Sequence, residues 1–144
     1  MTLYKILTHL NEYAEKHYNI NEYTELENED ISTVNRKFPL MNVIPSNAAI
    51  NGSLTTVTLD ISFMDIELEN KSNRRSVSSQ MLSLCNDVVA EFFEDNEDFD
   101  IEDEFPTALP FFAINDDVLT GWTISIDVEF KSVLEPCILP IFRG

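Results

Sequence analysis

Few side chains in this sequence could carry out covalent chemistry. The two histidines, His9 and His17, lie eight residues apart within a stretch of helical periodicity. Nucleophilic catalysis needs a serine or cysteine held against a base, which is usually histidine. The spacing indicates no such nucleophile–base pair, and a histidine on a helix face more often packs than catalyses. We therefore expect no catalytic residue and no enzyme, and a small hydrolase is the weakest of the functions considered.

Cofactor motifs are not evident either. A glycine-rich phosphate loop or a Rossmann fingerprint needs several closely spaced glycines, whereas this chain has only Gly52, Gly121 and Gly144. Cys85 and Cys137, taken with the two histidines, form neither a CxxC nor an HxxxH pattern, so zinc is not expected. We expect both cysteines to be reduced and buried, although the sequence leaves a disulfide open.

The acidic run Asp95–Glu104 has the composition of a calcium loop but not its pattern. An EF-hand loop places oxygen ligands at positions 1, 3 and 5, glycine at 6 and glutamate at 12. A loop that starts at Asp98 has Asp103 at position 6 and Leu109 at position 12. A loop that starts at Asp95 does not fit either, and we assign no metal and no cofactor.

The overall charge excludes two classes of partner. The 144 residues contain 26 Asp and Glu against 9 Lys and Arg, which gives a formal net charge of −17. Such a surface repels phosphate, so nucleic-acid binding by a basic face is not expected, and anionic membranes repel it too. Met1–His17 carries charged residues within its apolar pattern, unlike a signal peptide, and no run approaches the roughly 20 apolar residues of a membrane span. We expect a protein kept in a cytoplasm, or in a particle assembled there.

The few basic residues are unevenly distributed. No Lys or Arg occurs from Ser76 to Phe130. The densest basic spot is the loop that contains Lys71, Arg74 and Arg75. An acidic sector and a basic loop on one molecule suit head-to-tail packing of subunits in a ring. We therefore predict that these three side chains contribute to a contact between subunits or between rings.

Two acidic segments, Tyr18–Asp30 and Glu94–Glu104, are predicted to be loops or edge segments. Their charge has three explanations: solubility, mimicry of DNA phosphates, or the wall of a channel to which DNA must not adhere. The charge distribution favours the third. The carboxylates predicted to line such a channel are those of Glu97, Asp98, Asp100 and Glu102.

Two amphipathic helices are predicted. The first is capped by Thr2 and carries an apolar stripe from Leu3 to His17, with the spacing of one helical face. The second carries a stripe from Val77 to Phe92 and is capped by Asn73 or Ser76. These helices must position the histidines and the basic loop.

Strands are predicted from short apolar runs and from alternation. Period-2 patterns cover Leu54–Phe63, continued by Ile66 and Leu68, and Trp122–Phe130, each with one wet face. The other predicted pieces are a strand at Phe38–Pro45, a turn or loop at Ser46–Ser53, an acidic strand through Phe99, Ile101 and Phe105, an apolar piece at Leu109–Ile114, a turn at Asn115–Asp117 and a proline-rich tail at Glu135–Pro140. The class is α+β, one domain over residues 1–144 with a mostly antiparallel sheet packed with two main helices.

Three segments in this order resemble a known family. They are Phe38–Pro45, the strand Val57–Ile66 leading through Asn70-Lys71-Ser72-Asn73 into a helix, and Asp117–Trp122 followed by the alternating strand and Pro136–Pro140. Together they are similar to the small neck and tail-terminator-like ring proteins of tailed bacteriophages, above all those of crAss-like phages of Bacteroidales. The likeness spans Phe38 to Pro140. The acidic stretch Glu91–Glu104 has no counterpart in it.

The resemblance implies a structural virion protein with a tail-terminator-like fold and no catalytic residues. Its partners would be copies of itself in a ring of six or twelve, and the neighbouring portal, adaptor or tail proteins. Genomic double-stranded DNA would pass through the ring without specific binding. The alternative is an acidic DNA mimic that inhibits a host DNA-binding or defence protein.

Overall fold

The computed structural model describes residues 2–68, 70–93, 100–101, 106–114 and 118–131. Over these ranges the chain forms two α-helices and six strands. Their bounds are α1 Leu3–Lys16, β1 Glu22–Thr24, β2 Leu40–Asn51, β3 Leu54–Ile66, α2 Arg74–Phe93, β4 Asp100–Ile101, β5 Ala108–Ala113 and β6 Leu119–Lys131, with a 3₁₀ turn at Asn28–Asp30.

Helix α1 begins where the sequence predicts. The Thr2 hydroxyl accepts a hydrogen bond from the Lys5 backbone N–H at 3.3 Å, which satisfies one of the unpaired donors of the first turn. Ile6, Leu10 and Ala14 form its buried stripe. Helix α2 begins directly after Asn73, and Ser76 lies within its first turn, so the prediction of a cap at Ser76 is wrong.

The sheet is mixed but mostly antiparallel. Its strand order is β1-β2-β3-β6-β4, and β5 also pairs with β6. The β1–β2 pair is parallel, and the other pairs are antiparallel. A tight turn at Gly52, whose φ is +59°, joins β2 to β3; glycine adopts this left-handed conformation at little cost. The predicted α+β class is confirmed.

Apolar side chains cover both faces of the sheet. The main core lies between the helices and the sheet, on what we call the helix face, and includes Met41, Leu59, Phe63 and Ile126. Because side chains alternate along a strand, Leu40 and Met64 point to the opposite, far face. There they form a smaller core at one end with Leu119 and Ile31.

The segment Tyr18–Asp30, predicted to be a loop or edge segment, contains the edge strand β1 and the 3₁₀ turn. The buried amide of Asn42 binds this segment. The Asn42 Oδ1 atom accepts from Thr24 Oγ1 at 2.7 Å and from Leu26 N at 2.9 Å, and its Nδ2 atom donates to Leu26 O at 2.6 Å. A polar side chain inside β2 thus satisfies backbone groups of the segment beside it.

Strand β2 is longer than predicted. It continues through Pro45 to Asn51, and a register shift between Pro45 and Asn47 accommodates the proline, as a bulge allows. The predicted loop at Ser46–Ser53 is therefore wrong, since the turn is confined to the residues between Asn51 and Leu54. Ile101 lies in β4, whereas Phe99, Phe105, Asn115–Asp117, the tail Glu135–Pro140 and Cys137 fall outside the described residues.

Candidate interaction surfaces

The basic loop between β3 and α2 is fastened to the sheet by one buried carboxylate. Glu67, whose side chain is 1% exposed, accepts from Arg74 Nε at 2.6 Å and Arg74 Nη2 at 3.3 Å. The Thr120 hydroxyl donates to Glu67 Oε2 at 2.5 Å. The hydrogen bonds from Arg74, and then from Thr120, hold the pKa of this carboxyl below its usual value, because they favour the charged form.

The three predicted contact residues therefore divide into two kinds. Arg74 is engaged within the chain, since it binds Glu67 and its guanidinium lies 5.1 Å from the centre of the Phe112 ring. Lys71 and Arg75 are exposed. Neither forms an ion pair with another residue of the described ranges. Arg74 is a residue of the fold, whereas Lys71 and Arg75 are available to a partner.

These cations border an open groove of about 760 Å³. One end carries Lys71 and Arg75, and the remaining wall is formed by α2, β5 and β6. Phe112 is 46% exposed and Leu82 is 37% exposed, and both line the groove with Trp122. The Trp122 ring is fixed because its Nε1–H donates to Ser78 O at 3.0 Å. The groove, which we call the basic groove, thus joins positive charge to apolar surface.

The far face of the sheet is a second charged surface. Register places Asp100 opposite Glu129, and Asp60 opposite Ser125. These residues alternate with core residues of the helix face, so their side chains share the far face. The four carboxylates that strands β3, β4 and β6 place there, here the acidic face, are Asp60, Asp100, Asp127 and Glu129. Lys131 shares this face at the end of β6.

Cross-strand hydrogen bonds order this face. The Thr58 hydroxyl donates to Asp127 Oδ1 at 2.5 Å, and the Ser125 hydroxyl donates to Asp60 Oδ1 at 2.7 Å. Ser62 and Thr123 are joined at 2.7 Å. Of the predicted channel-lining residues, Asp100 lies here and is exposed, while Glu97, Asp98 and Glu102 lie outside the described residues.

Both histidines pair with carboxylates of α2. His17 Nε2 lies 2.9 Å from Asp87 Oδ2, and His9 Nε2 lies 3.3 Å from Glu91 Oε1. The His17 Nδ1 atom accepts from the Asn19 backbone N–H at 3.1 Å. His17 therefore carries its proton on Nε2 when neutral, and both ring nitrogens have partners. These contacts join the two helices, a relationship that residue spacing alone does not reveal.

A cavity of about 490 Å³ adjoins the His17–Asp87 pair. It is lined by Asp65, whose pKa is raised by burial, and by Ser83. The Ser83 hydroxyl donates to Ser79 O at 3.2 Å instead of to an imidazole. The cavity thus supplies a carboxylate but not the hydrogen-bonded serine–histidine pair of nucleophilic catalysis.

No group of three or more His, Cys, Asp or Glu within the described ranges could hold a metal ion. Cys85 is buried as a free thiol, and burial raises its pKa to about 12, so its reactive thiolate is suppressed. Neither of the described helices is long and apolar enough to cross a membrane.

No family model, no curated protein and no solved structure matches this chain. The basic groove and the acidic face are the structural features that bear on function, and the sequence resemblance to phage neck proteins stays a prediction.

Proposed function

We propose that this chain is a structural virion protein: a ring-forming subunit of the head–tail neck or tail of a tailed bacteriophage, acting as a tail terminator or connector ring. It assembles in the host cytoplasm with copies of itself, six or twelve to a ring, and with neighbouring portal, adaptor or tail proteins. The resemblance of three sequence segments supports the family. The α+β domain is of the class that this resemblance implies.

The observation that carries the proposal is the acidic face. A ring through which double-stranded DNA passes needs a wall that offers the phosphates no counterion-releasing contacts. Strands β3, β4 and β6 present Asp60, Asp100, Asp127 and Glu129 on one side of the sheet. At physiological salt the Debye length is about 8 Å, so carboxylates fixed on a wall repel DNA only near its surface. Such a face acts as a non-adhesive lining.

The basic groove supports the assembly part of the proposal. A chain with a net charge of −17 repels its own copies unless a local contact offsets that repulsion. Lys71 and Arg75 concentrate positive charge beside exposed apolar side chains, away from the acidic face. Charge of opposite sign on separate surfaces suits heterologous packing, in which two different surfaces of the same chain meet.

The acidic face also supports a second candidate, a DNA mimic that inhibits a host DNA-binding or defence protein. Carboxylates on adjacent strands, held by the hydrogen bonds of Thr58 and Ser125, form a fixed two-dimensional array of negative charge. A mimic would act as a small monomer or dimer and would not need the basic groove.

Mass in solution separates the two functions. Size-exclusion chromatography with light scattering, followed by electron microscopy of the largest species, should find closed rings with a central channel. Mass spectrometry of purified phage particles should find the chain among the virion proteins. A stable monomer or dimer that binds a DNA-binding enzyme tightly, and is missing from particles, would instead establish the mimic.

A further inference from the structure

A third charged surface lies on the side of the molecule where β1 forms the sheet edge. Glu25, Glu27, Glu29 and Asp30 follow β1 within six residues, and all four are exposed. We call them the acidic ridge. The ridge is anchored because the buried Asn42 amide binds Leu26 and donates to Asn28 Oδ1 at 3.0 Å.

The loop that carries the ridge also carries an exposed apolar side chain. Val34 is 69% exposed. The nearby cation Arg36 is occupied, since its Nη1 atom lies 2.9 Å from Glu22 Oε2. The surface therefore offers carboxylates together with an apolar side chain, which is the chemical complement of Lys71 and Arg75 beside Phe112 and Leu82.

Topology keeps the ridge and the basic groove of one molecule apart. The ridge is bound to β2 near the β1 edge, and Ile31 next to it packs on the far face with Leu40. The groove lies on the helix face, between α2 and β5 beyond the opposite edge of β6. Two complementary surfaces that cannot meet within one copy can meet between copies.

We propose that the acidic ridge of one copy docks in the basic groove of the next, head to tail. This inference rests on the proposed function, because it names the surfaces that build the ring. Exposed ion pairs alone contribute little and are screened by salt. The apolar contact of Val34 with the Phe112 and Leu82 wall therefore adds the burial that such pairs lack. A repeated contact between two different surfaces closes into a ring when its rotation allows.

Paired charge reversals test the contact. The groove variant is Lys71→Glu with Arg75→Glu, and the ridge variant is Glu27→Lys with Glu29→Lys. Arg74 is left in place because Glu67 needs it. Each variant alone sets like charges against each other, so its self-association should weaken at least tenfold. An equal mixture restores opposite charges at every contact of an alternating assembly and should regain the wild-type mass.

Matched controls carry the same changes of charge elsewhere. Lys5→Glu with Lys16→Glu, and Glu12→Lys with Glu15→Lys, alter exposed residues of α1 and should leave the mass unchanged. Mass is measured by light scattering at low and high salt, and thermal unfolding by circular dichroism verifies that each variant is folded.

Three results would overturn the inference, and they are distinguishable from failure of the proposed function. Folded groove and ridge variants that assemble like the wild type would refute this contact but not the proposed ring. A mixture that regains only a dimer would refute the head-to-tail arrangement. Disruption by the groove variant alone, without rescue by the mixture, would show that the groove binds another copy through a surface other than the acidic ridge. A wild-type chain that stays monomeric at every concentration and is missing from virions would instead refute the proposed function itself.

Discussion

His17 Nε2 lies 2.9 Å from Asp87 Oδ2 and ties the end of α1 to the middle of α2. The same imidazole accepts from the Asn19 backbone at Nδ1. One side chain thus ends α1, supports the following turn and crosses to the second helix. These contacts give His17 a structural role at the junction of the two helices.

Replacing His17 should therefore destabilise the helix pair. We expect His17→Ala to lower the free energy of unfolding by about 1–2 kcal/mol, since it removes a hydrogen bond to a charged group and one to the backbone. His9→Ala should cost less, because the His9–Glu91 contact is longer, at 3.3 Å, and its geometry is weaker. Urea unfolding monitored by Trp122 fluorescence compares the two. Equal losses of unfolding free energy in the two variants would contradict the stronger structural role assigned to His17.

The Glu67–Arg74 pair predicts a pH dependence of stability. The folded-state pKa of Glu67 lies below its ordinary value of 4.5, so the unfolded chain binds this proton more readily. The stabilisation is therefore fully present above pH 4.5 and is lost as the pH falls through the folded-state pKa.

The comparison with Glu67→Gln isolates this effect. The wild type should exceed the variant in free energy of unfolding by a constant amount near neutral pH, and the difference should shrink below pH 4.5. Urea unfolding between pH 3 and 7 measures it. A difference that does not vary with pH would show that the carboxylate charge is unimportant.

Strands β3 and β6 approach each other closely at Gly121. A Cβ atom there would lie 1.8 Å from the carbonyl oxygen of Phe63, a contact that the sheet cannot relieve without moving β3 or β6. Gly121→Ala should therefore lower the free energy of unfolding by about 3 kcal/mol or more. Gly52→Ala is the control, since nothing lies within 4 Å of its Cβ position and only its φ of +59° is unfavourable; it should cost about 1 kcal/mol. Similar losses of unfolding free energy in both variants would contradict the close approach of β3 to β6 at Gly121.

Local periodicity was sufficient to predict the elements whose pattern is strong. The alternation at Trp122–Phe130 lies within β6, and Thr2 with the stripe behind it gave the start of α1. Strand β1 could not be predicted, because its three residues pair with Leu40–Asn42 of β2, and Thr24 is 18 residues from its partner Asn42. Such long-range bonds leave no periodic signal in the short segment that they order.

The candidate surfaces were predictable only in part. The clustering of Lys71, Arg74 and Arg75 is visible in the sequence. The sequence does not show that Arg74 is bound within the chain while Lys71 and Arg75 are exposed. This difference depends on Glu67, the carboxylate that binds Arg74, and on Thr120, which lies 53 residues from Glu67 and donates a hydrogen bond to it. Alternation likewise predicted a wet face on two strands. The acidic face emerges only when register sets Asp100 beside Glu129.

The acidic face predicts how the protein treats DNA. If its carboxylates keep DNA from adhering, wild-type rings should not bind a fluorescent 20-base-pair duplex at physiological salt. Asp100→Lys with Glu129→Lys replaces two facing carboxylates by cations, each of which releases a counterion from DNA when it binds phosphate. This variant should retain the duplex while rings still form.

Fluorescence anisotropy measures retention, and its salt dependence identifies the cause. The affinity of the double-lysine ring should fall as salt rises, with a log–log slope of about 0.9 for each phosphate that the introduced lysines of the ring contact. Glu12→Lys with Glu15→Lys makes the same change of charge on the exposed side of α1 and should not retain DNA if α1 faces away from the channel. Equal retention by both variants would show that net charge alone governs adhesion.

A ring structure with β3 and β6 on its outer rim would also refute the lining role, because carboxylates farther from the axis than a few Debye lengths exert no field on the passing DNA.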